Sequence, residues 1–220
     1  MKRYIYKQLL AWKNEKEHKP LILNGARQVG KTYILREFGR NEYKRMAFFS
    51  LDRDQKALEI FNKGGRATDM LMALSAICHE DITPHDTLVV LDEIQNCPKA
   101  LEALKFFCEE TPEIDIVVAG SLLGLSIHSG VSYPVGKVEE LHLYPMTFLE
   151  FLEAMGKTQL VNLLENKNWT VINMLETELI SSLRQYYYVG GMPAAVLAHI
   201  EKKGWKEVRR IQQQIITDYT

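Results

Sequence analysis

Residues 21–35, LILNGARQVGKTYIL, contain the pattern G-x-x-x-x-G-K-[ST] in full, from Gly25 to Thr32. The pattern indicates a phosphate-binding loop only where a buried strand precedes it and a helix follows it. Residues 21–23 form a short apolar run, as a buried parallel strand does. The following residues show helical spacing, and we expect their helix to end at Gly39. One face of this helix is apolar, with Ile34, Leu35 and Phe38.

The chemistry of such a loop follows from what a phosphate chain requires. Glycines let the backbone wrap closely around the anion, and backbone N–H groups then converge at the start of a helix whose dipole favours negative charge. Lys31 would reach the β- and γ-phosphates, and the hydroxyl of Thr32 would be a magnesium ligand. The alternative is an ordinary turn between a strand and a helix, with a solvated lysine. The residues predicted to bind the nucleotide are Gly25, Ala26, Arg27, Gln28, Val29, Gly30, Lys31 and Thr32.

A second motif, TLVVLDEIQ at residues 87–95, is an apolar strand that ends in two acids. The carboxyl ends of strands form the edge where open α/β sheets bind ligands. Asp92 there can hold magnesium together with Thr32, and Glu93 can orient and deprotonate an attacking water. The alternative is a pair of exposed acids that begins a loop. Because both motifs occur in the expected order, we predict a site for a nucleotide with β- and γ-phosphates and for Mg²⁺, with Lys31 and Glu93 acting in catalysis.

Other residues are less informative. Ser121 follows the apolar run IDIVVAG, where its hydroxyl could contact the γ-phosphate or the attacking water; we include it as a catalytic candidate, although a simple turn is an equal alternative. The segment from Gly190 to Pro193 is typical of a helix break, with Pro193 as the first residue of the next helix. The aromatic triplet at residues 186–188 is interpreted as helix packing, and the alternative is a base-stacking platform. The six histidines show no metal-ligand spacing, and we interpret them as surface or core residues: His18, His79, His85, His128, His142 and His199.

Composition excludes few classes of function. The 220 residues contain 27 basic and 28 acidic side chains, for a formal charge of −1. A DNA or protein client is therefore compatible with the sequence but is not indicated by net charge. Three cysteines without a C-x-x-C pair favour reduced thiols and a cytoplasmic location. The N-terminus does not resemble a secretory signal, and no apolar run approaches the roughly 18 residues of a membrane span.

Apolar runs and helical periods alternate along the first two thirds of the chain. Besides residues 21–23, strands are predicted at 45–51, 87–91, 114–119 and 138–143, with helices at 55–62, 68–78 and 99–109 and an amphipathic helix at the start of the chain. This alternation predicts an α/β fold with a mostly parallel sheet covered on both faces. After Pro145 helical patterns dominate, and Thr147 to Glu150 is a capping-box sequence. We predict an α/β nucleotide-binding domain at residues 1–145 and a helical lid with the start of a truncated C-terminal region at 146–220.

Together these motifs resemble the AAA+ branch of P-loop ATPases. The closer resemblance is to a group of bacterial and archaeal ATPases with an N-terminal AAA domain and an uncharacterised C-terminal domain. It rests on Asp92-Glu93-Ile94-Gln95 and on the later stretches LHLYPMTFLEFL and YYYVGGMPAAVL. The resemblance implies a P-loop NTPase fold of the AAA+/RecA-like type, with a five-stranded parallel sheet in the order 5-1-4-3-2. It also implies binding of ATP and Mg²⁺, hydrolysis, and a sensor role for Ser121.

One position departs from this group. Ahead of the fifth strand the group implies Gly-Arg, whereas this chain has Gly136-Lys137. Lysine lacks the forked donor geometry with which arginine grips a phosphate. The resemblance therefore does not identify an arginine finger here.

Three functions remain open from the sequence. The leading one is a magnesium-dependent ATPase that works as a conformational switch or motor. The second is a P-loop kinase that phosphorylates a small molecule, although Glu93 favours hydrolysis and the last third of the chain has few arginines. The third is a nucleotide-dependent module that binds DNA or protein with negligible turnover, for which Arg209, Arg210 and nearby lysines offer a small basic face.

The end of the sequence carries a further expectation. Residues 205–219 show helical spacing and reach Thr220 without a capping signal, while the group it resembles continues further. We expect the apolar face of this helix to fold back on the helical region or to contact another chain. That face carries Val208, Ile211 and Ile215. A homo-oligomer and slow hydrolysis by these 220 residues are the corresponding expectations.

Overall fold

The strands of the protein form one sheet. The computed structural model describes residues 1–121 and 133–219. Within them the strands are β1 (Leu21–Gly25), β2 (Arg45–Ser50), β3 (Thr87–Asp92), β4 (Asp115–Gly120) and β5 (Glu139–Leu143). They pair in parallel in the order β2-β3-β4-β1-β5, which is the predicted order 5-1-4-3-2 counted from the other edge. The predicted fold class is therefore confirmed.

Helices cover both faces of this sheet, because the strands carry apolar side chains on both sides. Leu21 and Leu23 of β1 pack with the helices that come before and after that strand, whereas Ile22 faces the opposite side and packs with the three later helices. The first pair is α1 (Ile5–Asn14) and α2 (Lys31–Glu42); the second set is α3 (Gln55–Lys63), α4 (Ala67–Cys78) and α5 (Pro98–Glu110). A short 3₁₀ turn, Ile94–Asn96, follows β3.

The prediction that the helix after the phosphate loop ends at Gly39 is wrong. Helix α2 continues through Gly39 to Glu42, and Gly39 is buried. A Cβ atom at this position would collide with the side chain of Met46 and lie 3.4 Å from Leu88. Glycine therefore lets the helix approach the sheet closely, and the residue that looks like a stop signal serves packing instead.

Contacts divide the chain into two units: Ile5–Leu143, which holds the sheet, and a helical unit that joins Met1–Tyr4 to Tyr144–Thr220. The helices of the second unit are α6 (Phe148–Ala154), α7 (Thr158–Glu165), α8 (Trp169–Met174), α9 (Glu176–Val189), α10 (Pro193–Ile200) and α11 (Trp205–Thr217). The division into two domains, residues 1–145 and 146–220, supposes that each part folds independently, and it stays a prediction. Two residues named in the sequence analysis, His128 and Thr220, lie outside the described residues.

The chain's first residues belong to the helical unit because a buried ion pair holds them there. The guanidinium of Arg3 donates to Glu150 at 3.1 Å, and their side chains are only 6% and 5% exposed. The same carboxylate accepts the backbone N–H of Tyr4 at 2.7 Å and that of Thr147 at 2.8 Å. Thr147 in turn accepts the N–H of Glu150, so the predicted capping box is present.

The Gly-Gly-Met-Pro segment does more than break a helix. The backbone N–H of Met146 donates to the carbonyl of Gly191 at 2.7 Å. A Cβ atom on Gly191 would lie 2.8 Å from the nitrogen of Met146, which leaves no room for any side chain there. Pro193 is the first residue of α10, as predicted. Glycine at 191 thus brings two backbone segments of the helical unit into direct contact.

The apolar face of α11 is covered within the helical unit. Val208 is fully buried and Ile215 is 8% exposed, while Ile211 packs against the cluster that contains Val208 and Phe151. Of the two outcomes expected for this face, folding back is the one observed.

Candidate nucleotide-binding site

Three neighbouring strands bring the predicted site residues to one edge of the sheet. β1 lies between β4 and β5, and β3 lies on the other side of β4. Since these strands are parallel, the loop after β1, the acids at the end of β3 and Ser121 after β4 all meet at their carboxyl ends. Asn24 of β1 is in register with Gly120 of β4, so Ser121 follows directly beside the start of the loop.

The loop from residue 25 to 32 has the backbone conformation of a tight wrap. Gln28 and Gly30 have φ values of 61° and 101°, in the left-handed region, and helix α2 begins at the next residue without a side-chain cap. The side chain of Val29 is fully buried in the core, so only its backbone can face a ligand. Glycine is expected at position 25 so that the backbone can wrap around a phosphate. In the structure, glycine is required there because a Cβ atom would lie 2.5 Å from the carbonyl oxygen of Leu143 on β5.

Lys31 folds into this loop. It is 8% exposed, and its ammonium group donates to the backbone carbonyls of Gly25 at 2.8 Å and Ala26 at 2.9 Å. Burial lowers the pKa of Lys31, whereas the negative charges of Glu93 and Asp92 oppose that shift. The lysine is therefore held by the loop that it is predicted to serve, with its charge next to both acids of the second motif.

The two predicted metal ligands are in direct contact. The hydroxyl of Thr32 donates to a carboxylate oxygen of Asp92 at 2.6 Å, although 60 positions separate them in sequence. Asp92 is 3% exposed, and burial raises its pKa, while the bond from Thr32 acts in the opposite direction. Two hard oxygen donors thus lie side by side at the carboxyl edge of the sheet.

Glu93 is held by several constraints. Its backbone is left-handed, with φ 56°, which is uncommon for a residue other than glycine. Its N–H donates to Asp92 at 3.1 Å, and its carboxylate accepts a hydrogen bond from the side-chain amide of Gln95. The role of Gln95 could not be predicted from the sequence, because its contact with the acid two residues earlier depends on the 3₁₀ turn that contains it.

Ser121 lies where the sequence places it, buried at the end of β4, with 9% exposure. Its sensor role and the roles of the other site residues stay predictions.

The oxygen donors of Thr32 and Asp92 match the requirements of Mg²⁺. Mg²⁺ usually keeps several waters and is bound through one or two protein oxygens together with substrate phosphates. The hydroxyl of Thr32 and the carboxylate of Asp92, 2.6 Å apart beside a loop of backbone donors, fit that pattern. Among residues 1–121 and 133–219, no group of three or more His, Cys, Asp and Glu side chains is arranged to hold a metal.

Lys137, where the resemblance implies arginine, lies at the other end of the sheet. It precedes β5, which begins beside Pro20 and runs toward Gly25. Its ammonium group forms an ion pair with Glu109 of α5 at 3.0 Å, and this pair raises the pKa of Lys137.

None of the helices in the described part of the chain is long and apolar enough to cross a membrane.

Known structures share this fold. A Walker-type ATPase of Pyrococcus abyssi matches 99% of the chain and 74% of its own, with a TM-score of 0.59 and 16% identity. Drosophila ORC, in a structure bound to DNA, matches 96% of the chain and 66% of its own, with a TM-score of 0.55 and 15% identity. At these identities the likeness shows the fold alone. Comparison with curated proteins finds no match.

A family model described as an AAA domain matches residues 17–152, well over half of the chain. The match includes the phosphate loop, both acids after β3 and Ser121, which are the residues that the fold brings to one edge of the sheet. The chain therefore belongs to the AAA-domain family, within the AAA+ class of P-loop ATPases.

Proposed function

We propose that this chain binds ATP with Mg²⁺ and hydrolyses it, and that hydrolysis drives a conformational switch or motor. The observation that carries the proposal is the contact between Thr32 and Asp92 at 2.6 Å, with the ammonium group of Lys31 folded into the loop beside them. Two motifs that are distant in sequence are thereby joined into a single arrangement of donors.

Each residue has a defined task in this proposal. The backbone N–H groups of residues 25–32 would bind the phosphates, and Lys31 would offset charge on the β- and γ-phosphates. Thr32 and Asp92 would hold Mg²⁺, which when bound neutralises negative charge on the phosphate oxygens. The partial burial of this site strengthens these interactions relative to bulk water.

Glu93 would orient the attacking water and accept its proton. Its restrained backbone and its hydrogen bond from Gln95 support this role, because a general base acts well only when it is held in position. Ser121, at the end of β4, would contact the γ-phosphate or the same water.

Binding is tested by thermal unfolding with and without Mg²⁺-ATP. A ligand at a hundredfold excess over its dissociation constant stabilises the folded state by about 3 kcal/mol. Lys31→Ala should lose this stabilisation, whereas Lys16→Ala, an exposed lysine outside the site, should keep it. An equal rise in melting temperature for Lys31→Ala and the parent would show that the loop is not the phosphate site.

Chemistry is tested by phosphate release from the Glu93→Gln variant. A positioned base contributes about 10²–10⁴-fold in rate, so turnover should fall by that factor while Mg²⁺-ATP still binds. Glu59→Gln, an exposed acid on α3, serves as the matched control. Undiminished hydrolysis by Glu93→Gln would remove its role as a base and favour the kinase alternative.

A further inference from the structure

A shallow groove runs along one face of α9 and ends at the first residue of α11, inside the helical unit. Its volume is about 880 Å³. Two exposed aromatic side chains close one end, Tyr188 at 42% exposure and Trp205 at 47%. The interpretation of the tyrosine triplet as helix packing holds for Tyr186, which packs against the buried cluster, and for Tyr188, whose ring contacts Trp205, but not for Tyr187, which is 75% exposed.

The indole of Trp205 is fixed from one side. It stacks on the ring of His199, with centroids 4.9 Å apart, and meets the edge of Tyr188 at 4.7 Å. His199 in turn stacks on the buried Phe151. Burial lowers the pKa of His199, which favours the neutral ring. An aromatic surface that is held in place and almost half exposed can stack on another ring with little loss of entropy.

The chain segment that contains Trp205 is rich in positive charge. Residues 202–210 contain five cations, of which Lys203 pairs with Glu201 and Arg210 with Glu207. The other three, Lys202, Lys206 and Arg209, form no ion pair with any residue that the structure describes.

Two arginines lie close to the groove-lining aromatic rings or in the groove itself. The guanidinium of Arg209 lies 5.6 Å from the ring centroid of Tyr188, and Arg184 lines the groove itself. The acid that also lines it, Glu176, is twelve positions from Tyr188 along α9, which is about 18 Å of helix. Among the residues that line the groove, the aromatic rings and Arg184 therefore lie toward one end and the acid toward the other, while Glu201 and Glu207 near Trp205 are paired with Lys203 and Arg210.

We propose that this aromatic and basic end of the groove binds single-stranded nucleic acid, with Trp205 stacking on a base and Lys206 and Arg209 contacting phosphates. Stacking surfaces combined with cations are how proteins bind unpaired strands without sequence preference. Cations without carboxylate partners favour a polyanion over a neutral protein surface. None of these residues belongs to the nucleotide site, so the inference does not depend on the proposed function.

The first test is binding of labelled oligo-dT and oligo-U of about 15 nucleotides, followed by fluorescence anisotropy. Oligo-dT tests for binding of single-stranded DNA, and oligo-U tests for binding of single-stranded RNA. We expect the logarithm of affinity to fall with the logarithm of salt concentration with a slope of about −1.4, for two phosphate contacts at roughly −0.7 each. A duplex of the same length should bind more weakly, since its bases are already stacked. Binding of neither single strand at low salt would overturn the proposal and leave the groove to a protein partner.

The second test uses tryptophan fluorescence. Trp12 is 2% exposed, so the Trp169→Phe variant leaves Trp205 as the exposed indole among the three tryptophans. Stacking on a base should quench this signal as oligo-dT is added. Binding without quenching would show that Trp205 does not stack.

Substitutions separate the contribution of base stacking by Trp205 from that of phosphate contact by Lys206. Trp205→Ala should weaken binding by roughly ten- to a hundredfold, while Trp169→Ala, the exposed tryptophan of α8, should not change it. Lys206→Glu should weaken binding and reduce the salt slope, with Lys167→Glu, an exposed lysine outside the groove, as its control. Circular dichroism checks that each variant is folded. If Trp205→Ala does not fold, the binding of Lys206→Glu still tests the proposal. Unchanged binding in folded Trp205→Ala or in Lys206→Glu would overturn the proposal.

Discussion

His18 and Asp115 form a buried ion pair at the amino-terminal end of the sheet. One ring nitrogen of His18 lies 3.0 Å from the carboxylate of Asp115 and the other 3.1 Å from the carbonyl of Glu15. Both partners accept hydrogen bonds, so the protonated ring, with two N–H groups, fits best. The hydrogen bond to Asp115 raises the pKa of His18, although burial acts in the opposite direction.

This pair predicts a specific dependence of stability on pH. Because the pKa of His18 is higher in the folded state than in the unfolded state, its contribution is complete below the unfolded value of about 6.5 and is lost as pH rises through the folded value. Each unit of that shift corresponds to about 1.4 kcal/mol. Urea unfolding between pH 6 and 9 should show the difference between the parent and His18→Gln shrinking as pH rises. A constant difference, or the same trend in exposed His85→Gln, would contradict the assignment.

Residues of the nucleotide site could be predicted because their motifs have fixed local spacing. Lys31 and Thr32 follow a glycine pattern, and Asp92 ends an apolar strand, so each carries its own signal. The pair of His18 and Asp115 carries none, since it depends on the course of the chain over 97 positions. The interpretation of His18 as a surface or core residue could therefore not include its partner.

At the scale of elements, the five strands and the helices between them follow the sequence closely, because apolar runs bounded by turn residues leave few alternatives. Errors occur where tertiary packing decides. Gly39 lies inside α2 rather than after it, since the sheet requires a close approach. Placement of Met1–Tyr4 in the helical unit was not predicted either, because it depends on the buried contact of Arg3 with Glu150.

The contact of Arg3 with Glu150 of α6 predicts that substitutions of these two residues have strongly non-additive effects on the free energy of unfolding. Removing one partner of a buried ion pair leaves the other charge uncompensated, at a cost of about 3–5 kcal/mol. We expect Arg3→Met and Glu150→Gln each to destabilise the protein by that order. The double variant should lose clearly less than the sum, because neither charge then remains buried alone. Denaturant unfolding measures all four states, with exposed Lys2→Met as control; simple additivity would show that the two side chains act independently.

At the scale of the molecule, the position of Lys137 bears on how the site is completed. β5 runs from Glu139 to Leu143, so a residue before it lies a strand length, about 16 Å, from the carboxyl edge where Thr32 and Asp92 meet. A lysine side chain cannot reach the site of its own chain across that distance. Beside Lys137, Phe106 and Val135 expose apolar surface, at 42% and 81%. Such surface next to a cation suits contact with another chain.

Turnover should therefore depend on protein concentration. We expect slow hydrolysis in dilute solution and a higher rate per chain as copies associate, because Lys137 of one copy could then approach the nucleotide of the next. The gain should stay below the roughly 10³–10⁵-fold of an arginine finger, since lysine lacks the forked donor geometry. Phosphate release across a concentration series, alongside light scattering, measures both quantities. Lys137→Ala should remove the concentration-dependent part, and exposed Lys105→Ala should retain it. Rapid turnover that is independent of concentration would show that one chain already holds a complete catalytic site.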